Sequence, residues 1–236
     1  MRNGDLVVVI AAGPGLGRAV ATAFAGHGDH VVLLARDAQR LAGIAAEVTS
    51  RTGGPVESVS ADASDEESLR AAFAEIRERF GHPSVLVHNP SVAVEAPPTR
   101  TPYASLIDGV RLAAGSLLVA AQEAAPAMRD AGRGTVLVTG SGSALTGSTW
   151  SAALAVQKAA VRNLAFSLTS ELAPGGIHVV TVTIGGVLGR PGFEPDRIAQ
   201  EYVRLHEATD GPPREWRPEV PWPAADTART GATRTG

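Results

Sequence analysis

Short, nearly uninterrupted apolar runs recur along this chain, and segments of helical spacing separate them. LVVVIA (6–11), HVVLLA (30–35), PVESVSA (55–61), SVLVHN (84–89), GTVLVTG (134–140) and IHVVTVTI (177–184) have the composition of strands. Between them lie GRAVATAFAGHG (17–28), residues 38–52, DEESLRAAFAEIRERFG (65–81), and long Ala/Leu-rich stretches at about 104–131 and 151–173. Strands that are apolar on both faces must be covered on both faces, and strict alternation supplies the helices to cover them. The pattern predicts an α/β fold: a single-domain, doubly wound parallel sheet with helices on both faces. Such a sheet binds ligands beyond the carboxyl ends of its strands.

A length of 236 residues suits one large domain, and 44% hydrophobic residues suffice for its core. The formal charge is −3 and there is no long basic run, so nucleic acid is not an expected partner. There are no cysteines, which excludes disulfides, thiolate catalysis and cysteine-ligated zinc. The opening MRNGDLVVVIAAGPGLG reads as a first strand running into glycines, not as a signal peptide or a membrane span. A soluble, cytoplasmic protein is expected.

After Gly189 the alternation loosens. EPDRIAQEYVRLHEA (194–208) is expected to form a helix of a substrate lid that includes Tyr202 and His206. PPREWRPEVPWP (212–223) is too proline-rich for regular structure, and 224–236 offers nothing to bury and is expected to be disordered. The expected layout is a nucleotide-binding core at 1–189, a lid extension of the same domain at 190–223, and a tail.

IAAGPGLGRA (10–19) joins the first strand to the first helix. Glycines permit a tight turn and close approach of a phosphate, and the helix that follows offers free N–H groups and the positive end of its dipole. Gly17 opens that helix, where backbone and pyrophosphate are expected to meet. The second strand ends in Ala35-Arg36-Asp37. Ala35 cannot accept a ribose hydroxyl as a carboxylate would, whereas the Arg36 guanidinium suits a 2′-phosphate. NADP(H) is therefore favoured over NAD(H).

The spacing of this loop resembles the short-chain dehydrogenase/reductase family, a Rossmann-type family whose pattern is Gly, three residues, Gly, one residue, Gly. Here it runs Ala11, Ala12-Gly13-Pro14, Gly15-Leu16-Gly17, with alanine at the first glycine. Further resemblances follow in the family's order over roughly residues 5–189. VSADAS (59–64) resembles the segment beside the adenine, which assigns Asp62 and Ala63 to the cofactor. VLVHNPS (85–91) resembles the family's Asn-Asn-Ala-Gly stretch and assigns Asn89 and Pro90. GTVLVTGSGS (134–143) resembles the strand that carries the catalytic serine, which makes Ser141 the candidate and Ser143 a close alternative. AVQKAAVRNLAFSLTSELAPGGIHV (155–179) resembles the catalytic-lysine helix with Lys158. IGGVLG (184–189) resembles the segment contacting the cofactor through Ile184 and Val187.

The resemblance implies a tyrosine four residues before Lys158, one that passes a proton while the nicotinamide passes a hydride. That position is Leu154. It also implies a relay asparagine within Arg111-Leu112-Ala113, and none is present. The chain's tyrosines are Tyr103, at the start of a helix that could edge the cleft, and Tyr202. Three readings stand. One is an NADP(H)-dependent oxidoreductase acting on a small carbonyl or alcohol. Another is a non-redox enzyme on the same scaffold, a cyclase, isomerase or dehydratase. The third is a catalytically silent binding protein. A homodimer or homotetramer, formed through the small-residue faces of the two long helices, is expected as in the resembled family.

Overall fold

Seven parallel strands form one sheet in the order β3-β2-β1-β4-β5-β6-β7 in a computed structural model that describes residues 4–210 and 215–224. The strands are β1 (Leu6–Ile10), β2 (His30–Ala35), β3 (Val56–Ser60), β4 (Val85–His88), β5 (Gly134–Ser141), β6 (Ile177–Ile184) and β7 (Glu219–Trp222). The helices between them are α1 (Leu16–His27), α2 (Ala38–Thr52), α3 (Glu66–Phe80), α4 (Tyr103–Val110), α5 (Ser116–Asp130), α6 (Ala152–Leu172) and α7 (Pro195–Glu207). The fold is the expected single Rossmann-type domain.

Side chains alternate across the strands, and each set meets its own helix layer. Leu6, Val8 and Ile10 of β1 pack with Leu86, Val136 and Val138 against α3, α5 and α6. Val7 and Val9 pack with Leu33, Val87 and Leu137 against α1, α2 and α7. The strand order reverses between β1 and β4, and a cleft opens there at the carboxyl ends.

Two expectations for the C-terminal region are corrected. The 194–208 segment is not a lid. It is α7, whose Ile198, Ala199, Tyr202 and Leu205 are buried in the core and which packs on α1. The proline-rich 212–223 segment contains β7, which pairs with β6 from Thr181↔Glu219 to Ile184↔Trp222. A proline is tolerated in a strand at a sheet edge, and β7 is such a strand. The expectation for the tail falls on 225–236, outside the described residues.

The helix Tyr103–Asp130 is long and apolar enough to cross a membrane by length and composition, but its inner face is part of the sheet's core. Its α4 and α5 portions are joined by a π-helical turn at Arg111–Gly115. Ser116 sits just after the turn and donates to the Leu112 carbonyl (2.5 Å). Its hydroxyl also meets His88 Nε2 at 2.8 Å.

A hydrogen-bonded Asp–His pair crosses the opposite end of the sheet. Asp5 lies 3.2 Å from His206 Nε2 and accepts from Ser84 Oγ at 2.6 Å, with Arg133 at 3.1 Å. These partners, His206 first, hold the Asp5 carboxyl far below its usual range against the opposing effect of burial. A depressed carboxylate pKa contributes stability that is present above the unfolded value and lost as pH falls through the folded one. Acid unfolding of the wild type should therefore steepen below about pH 4. Asp5→Asn should flatten that dependence and cost about 1.5 kcal/mol at neutral pH, since charged hydrogen bonds are lost. Urea titrations of both proteins at neutral and acid pH check this, and identical pH profiles would contradict it.

Candidate functional site

The glycine loop turns sharply at Ala11, whose φ of 58° is a left-handed conformation that glycine adopts without cost. This residue stands at the first glycine of the motif, so the structure gives that position a backbone reason. Gly15 is the N-cap of α1, and no side chain caps the helix. By contrast, Asp37, Asp65 and Ser151 cap α2, α3 and α6. The Arg18 amide donates to the Gly13 carbonyl at 2.9 Å, and the Leu16 and Gly17 amides at the very start of α1 are those that face a ligand, as anion binding at a helix N-terminus requires. A Cβ at Gly13 or Gly15 would meet nothing within 4 Å. A Cβ at Gly17 would lie 2.8 Å from the Ala12 Cα. Gly17 therefore serves the close packing of helix on loop. Leu16 is buried in the core, so only its backbone is available to a ligand.

Ala11, Gly13, Ala35, Arg36, Asp62, Ala63 and Pro90 line one cleft of about 610 Å³. The structure adds Arg40 to this group, together with Ser91, Val92, Asp108 and Leu112. Asp37, the carboxylate nearest the β2 tip, is engaged as a cap: its Oδ1 accepts from Arg40 N at 2.9 Å. Asp62 Oδ1 accepts from the Ser64 hydroxyl (2.7 Å) and amide (2.9 Å). These two bonds, with the nearby Arg36 charge, hold the Asp62 carboxyl below its ordinary pKa. Arg36 and Arg40 are exposed cations at the same end of the cleft.

Thr139 on β5 is a hub that sequence reasoning missed. Its hydroxyl donates to Asn89 Oδ1 (3.0 Å), and Asn89 Nδ2 donates in turn to the Ala11 carbonyl (3.3 Å). That leaves the same hydroxyl to accept from Tyr202 OH at 2.9 Å. Tyr202 is fully buried, and burial drives its pKa above the usual phenol range. It is a core hydroxyl, not a proton donor to the cleft. Tyr103 is 79% exposed at the start of α4.

Lys158 Nζ donates to the carbonyls of Thr139 (2.9 Å) and Pro90 (3.1 Å). Burial pushes its pKa down to about 8. The neighbouring Gln157 is also buried, and its amide clamps both backbone groups of Val92. Two consecutive α6 side chains thus fix the loop that follows β4. No local sequence pattern announces either the Thr139 hub or this clamp, because each spans at least 50 residues of sequence.

Ser141 and Ser143 bring their hydroxyls within 2.9 Å of each other at the end of β5. Leu154 is half-buried, one helical turn before Lys158. Ile184 ends β6 in the core, while Val187 is 68% exposed in the loop beyond it. His88 is buried, and burial, with help from the Lys158 charge, pushes its pKa down to about 3. It is a neutral support of the π-helical turn, while its neighbour Asn89 holds the glycine loop.

An uncapped glycine-rich helix start, open space over Gly13 and Gly15, and two guanidiniums at the β2 tip fit a phosphate-bearing nucleotide. The cleft lies at the topological switch point, where open α/β sheets bind their ligands. The sequence matches the short chain dehydrogenase family over residues 5–192, and the chain belongs to that family. An uncharacterised oxidoreductase of Caenorhabditis elegans is 30% identical over 189 residues, which cover 78% of this chain and 60% of the relative. A short-chain dehydrogenase structure from Rhodopseudomonas palustris is similar with a TM-score of 0.82 at 28% identity, covering 94% of this chain and 98% of that one. A metagenomic short-chain oxidoreductase in complex with NADP is similar with a TM-score of 0.83 at 26% identity, covering 93% and 96%.

Proposed function

We propose that this chain is an NADP(H)-binding oxidoreductase acting on a small carbonyl or alcohol, with proton delivery that departs from the family's usual route. The observation that carries the reading is that the glycine loop leading into the uncapped α1, at Ala11–Gly13, and the Arg36 and Arg40 side chains line the same cleft. The first suits a pyrophosphate and the second a 2′-phosphate. The NADP complex of a structural relative supports the same cofactor class.

The bound nicotinamide would supply or accept the hydride. Ser141 and Ser143 offer a hydroxyl pair to orient a carbonyl oxygen. Lys158, already bonded to two carbonyls, fixes the wall of the nicotinamide end and holds a proton there. Leu154 has no proton to give, and none of Arg111, Leu112 and Ala113 is a relay asparagine. This makes ordinary ketone turnover slow while cofactor binding persists. The same leucine supports a second reading, a non-redox or silent member of the family, which predicts cofactor binding with no turnover on any ketone or alcohol.

Gly13→Asp tests the cofactor site without disturbing the fold, because the new side chain enters open space. Its carboxylate would repel the pyrophosphate and weaken NADPH binding about tenfold or more. Calorimetric titration and a melting curve check this, and unchanged affinity would move the nucleotide elsewhere.

A cytoplasmic homodimer or homotetramer completes the proposal. Exposed Ile107, Leu118 and Val156 on α4, α5 and α6, with α4 and α5 each packed on α6, support association through these helices. Leu118→Glu with Val156→Glu should then shift sedimentation towards the monomer. An unshifted profile would place the interface elsewhere.

A further inference from the structure

Nine large apolar side chains are exposed among the described residues, and they fall into two groups. Ile107, Leu118 and Val156 lie within the bodies of α4, α5 and α6, beyond their first residues. The other six are Val92, Tyr103, Leu145, Trp150, Val187 and Leu188, and all belong to the segments that follow β4, β5 and β6. These three strands are neighbours in the sheet, so the segments leave it side by side at the carboxyl edge where β5 ends in Ser141, and Val92 among the six lines the cleft itself. Ala96 bridges to Ser151, and the Ala152 amide donates to the Ala96 carbonyl at 3.4 Å. Gly142 packs against Gly185, since a Cβ there would lie 3.4 Å from the Gly185 Cα.

We infer that the reaction end of the cleft takes an uncharged, predominantly apolar carbonyl or alcohol, recognised by this rim; the inference rests on the oxidoreductase reading above. Scattered exposed apolar residues need no explanation, but a group carried by three adjoining segments beside the Ser141–Ser143 pair marks a binding surface. Trp150 is 54% exposed, Leu145 57% and Leu188 44%, so each has apolar surface to bury against a ligand.

The charge distribution points the same way. Residues 142–151 contain no ionisable side chain, only hydroxyls, glycines and apolar groups. The segment after β4 carries Glu95 and Arg100, and the segment after β6 carries Arg190 and Glu194, so each is balanced. Glu194 is engaged with the Gly192 amide at 3.0 Å and with Arg197. Nothing here gathers the positive charge that a phosphorylated or coenzyme A-linked substrate would require. Nor is there a set of ionised or amide side chains to match the hydroxyls of a sugar. The Ser141–Ser143 pair remains as the polar point for one oxygen.

The test is calorimetric binding of a homologous series of straight-chain methyl ketones, with a ketose and an acyl-coenzyme A thioester beside them, each with and without saturating NADPH. Affinity for the ketones should rise roughly threefold per added methylene until the rim is covered. The ketose should bind much more weakly, and the thioester no better than its ketone counterpart. Trp150→Ser with Leu145→Ser should weaken the longest ketone at least fivefold and leave NADPH affinity as it was. Affinity flat along the series, no ketone binding, or preference for the ketose or thioester would overturn the inference. So would a double variant that changes oligomeric state with ketone affinity intact, since the rim would then be a subunit interface. Failure of NADPH to bind, with the chain-length gradient retained, would strike the cofactor reading and leave the apolar rim standing.

Discussion

Leu154→Tyr is expected to raise NADPH-dependent reduction of simple ketones about a hundredfold over a slow wild type. A positioned general acid contributes ~10²–10⁴-fold, and the lower end applies here because only part of the proton route is restored. Residue 154 stands one turn before Lys158 on α6, so a phenol there shares its helix face. The Lys158 ammonium, fixed by the Thr139 and Pro90 carbonyls, would favour the phenolate and ease proton transfer. The Ser141–Ser143 pair would orient the oxygen that receives the proton. None of the residues 111–113 is an asparagine, which caps the gain. NADPH consumption by both proteins over a panel of ketones measures the effect. Brisk wild-type turnover would refute the account and point to another acid. Tyr103, 79% exposed at the start of α4, would be mutated first, because Tyr202 is buried and bound to Thr139.

The second large effect concerns the choice of nucleotide. NADPH is expected to bind ten- to a hundredfold more tightly than NADH, the equivalent of one charge-assisted contact of ~1.5–3 kcal/mol. Arg36→Ala should remove most of that preference, and Arg36→Ala with Arg40→Ala the remainder, with NADH affinity little changed. Both guanidiniums are exposed, so the preference should shrink as salt is added. Titrations of NADPH and NADH at low and high ionic strength check all three statements. Equal wild-type affinities would sink the assignment of Arg36.

The sheet was legible because its strands are runs such as LVVVI and HVVLLA, whose burial on two faces leaves little alternative to a covered parallel sheet. The glycine loop, Arg36, Asp62 and Pro90 were legible because each sits at the end of a strand whose position follows from the alternation, and they line one cleft. Two readings failed where local rules met a tertiary answer. Prolines argued against a strand at 219–222, yet β7 forms at the sheet edge, where β6 alone supplies its pairing. The segment 194–208 was read by position as a lid, although Ile198, Ala199, Tyr202 and Leu205 already had the spacing of a core-facing helix. The Asp5–His206 pair was beyond any local pattern, because its members are 201 residues apart in sequence. Arg40 was missed for a simpler reason: one turn into α2, it reads as an ordinary surface cation until Asp37 is seen to cap the helix.

The edge position of β7 has a consequence for how the protein behaves at high concentration. The Pro218 and Trp222 carbonyls accept from β6 amides at Thr181 and Gly185, so residues of even number point their backbone groups inward. Alternation then turns the backbone groups of Glu219 and Pro221 towards the open side, where Pro221 has no N–H to offer; the Glu219 carboxylate is engaged inward by Arg162 and Thr183. A foreign strand approaching this side finds one donor missing in a run of only four residues. Short length and proline are among the features that keep exposed edges from templating aggregation. Pro221, one of the prolines that obscured the strand in the sequence, is thus a barrier to open-ended growth of the sheet, and Pro221→Val would be the change that removes it.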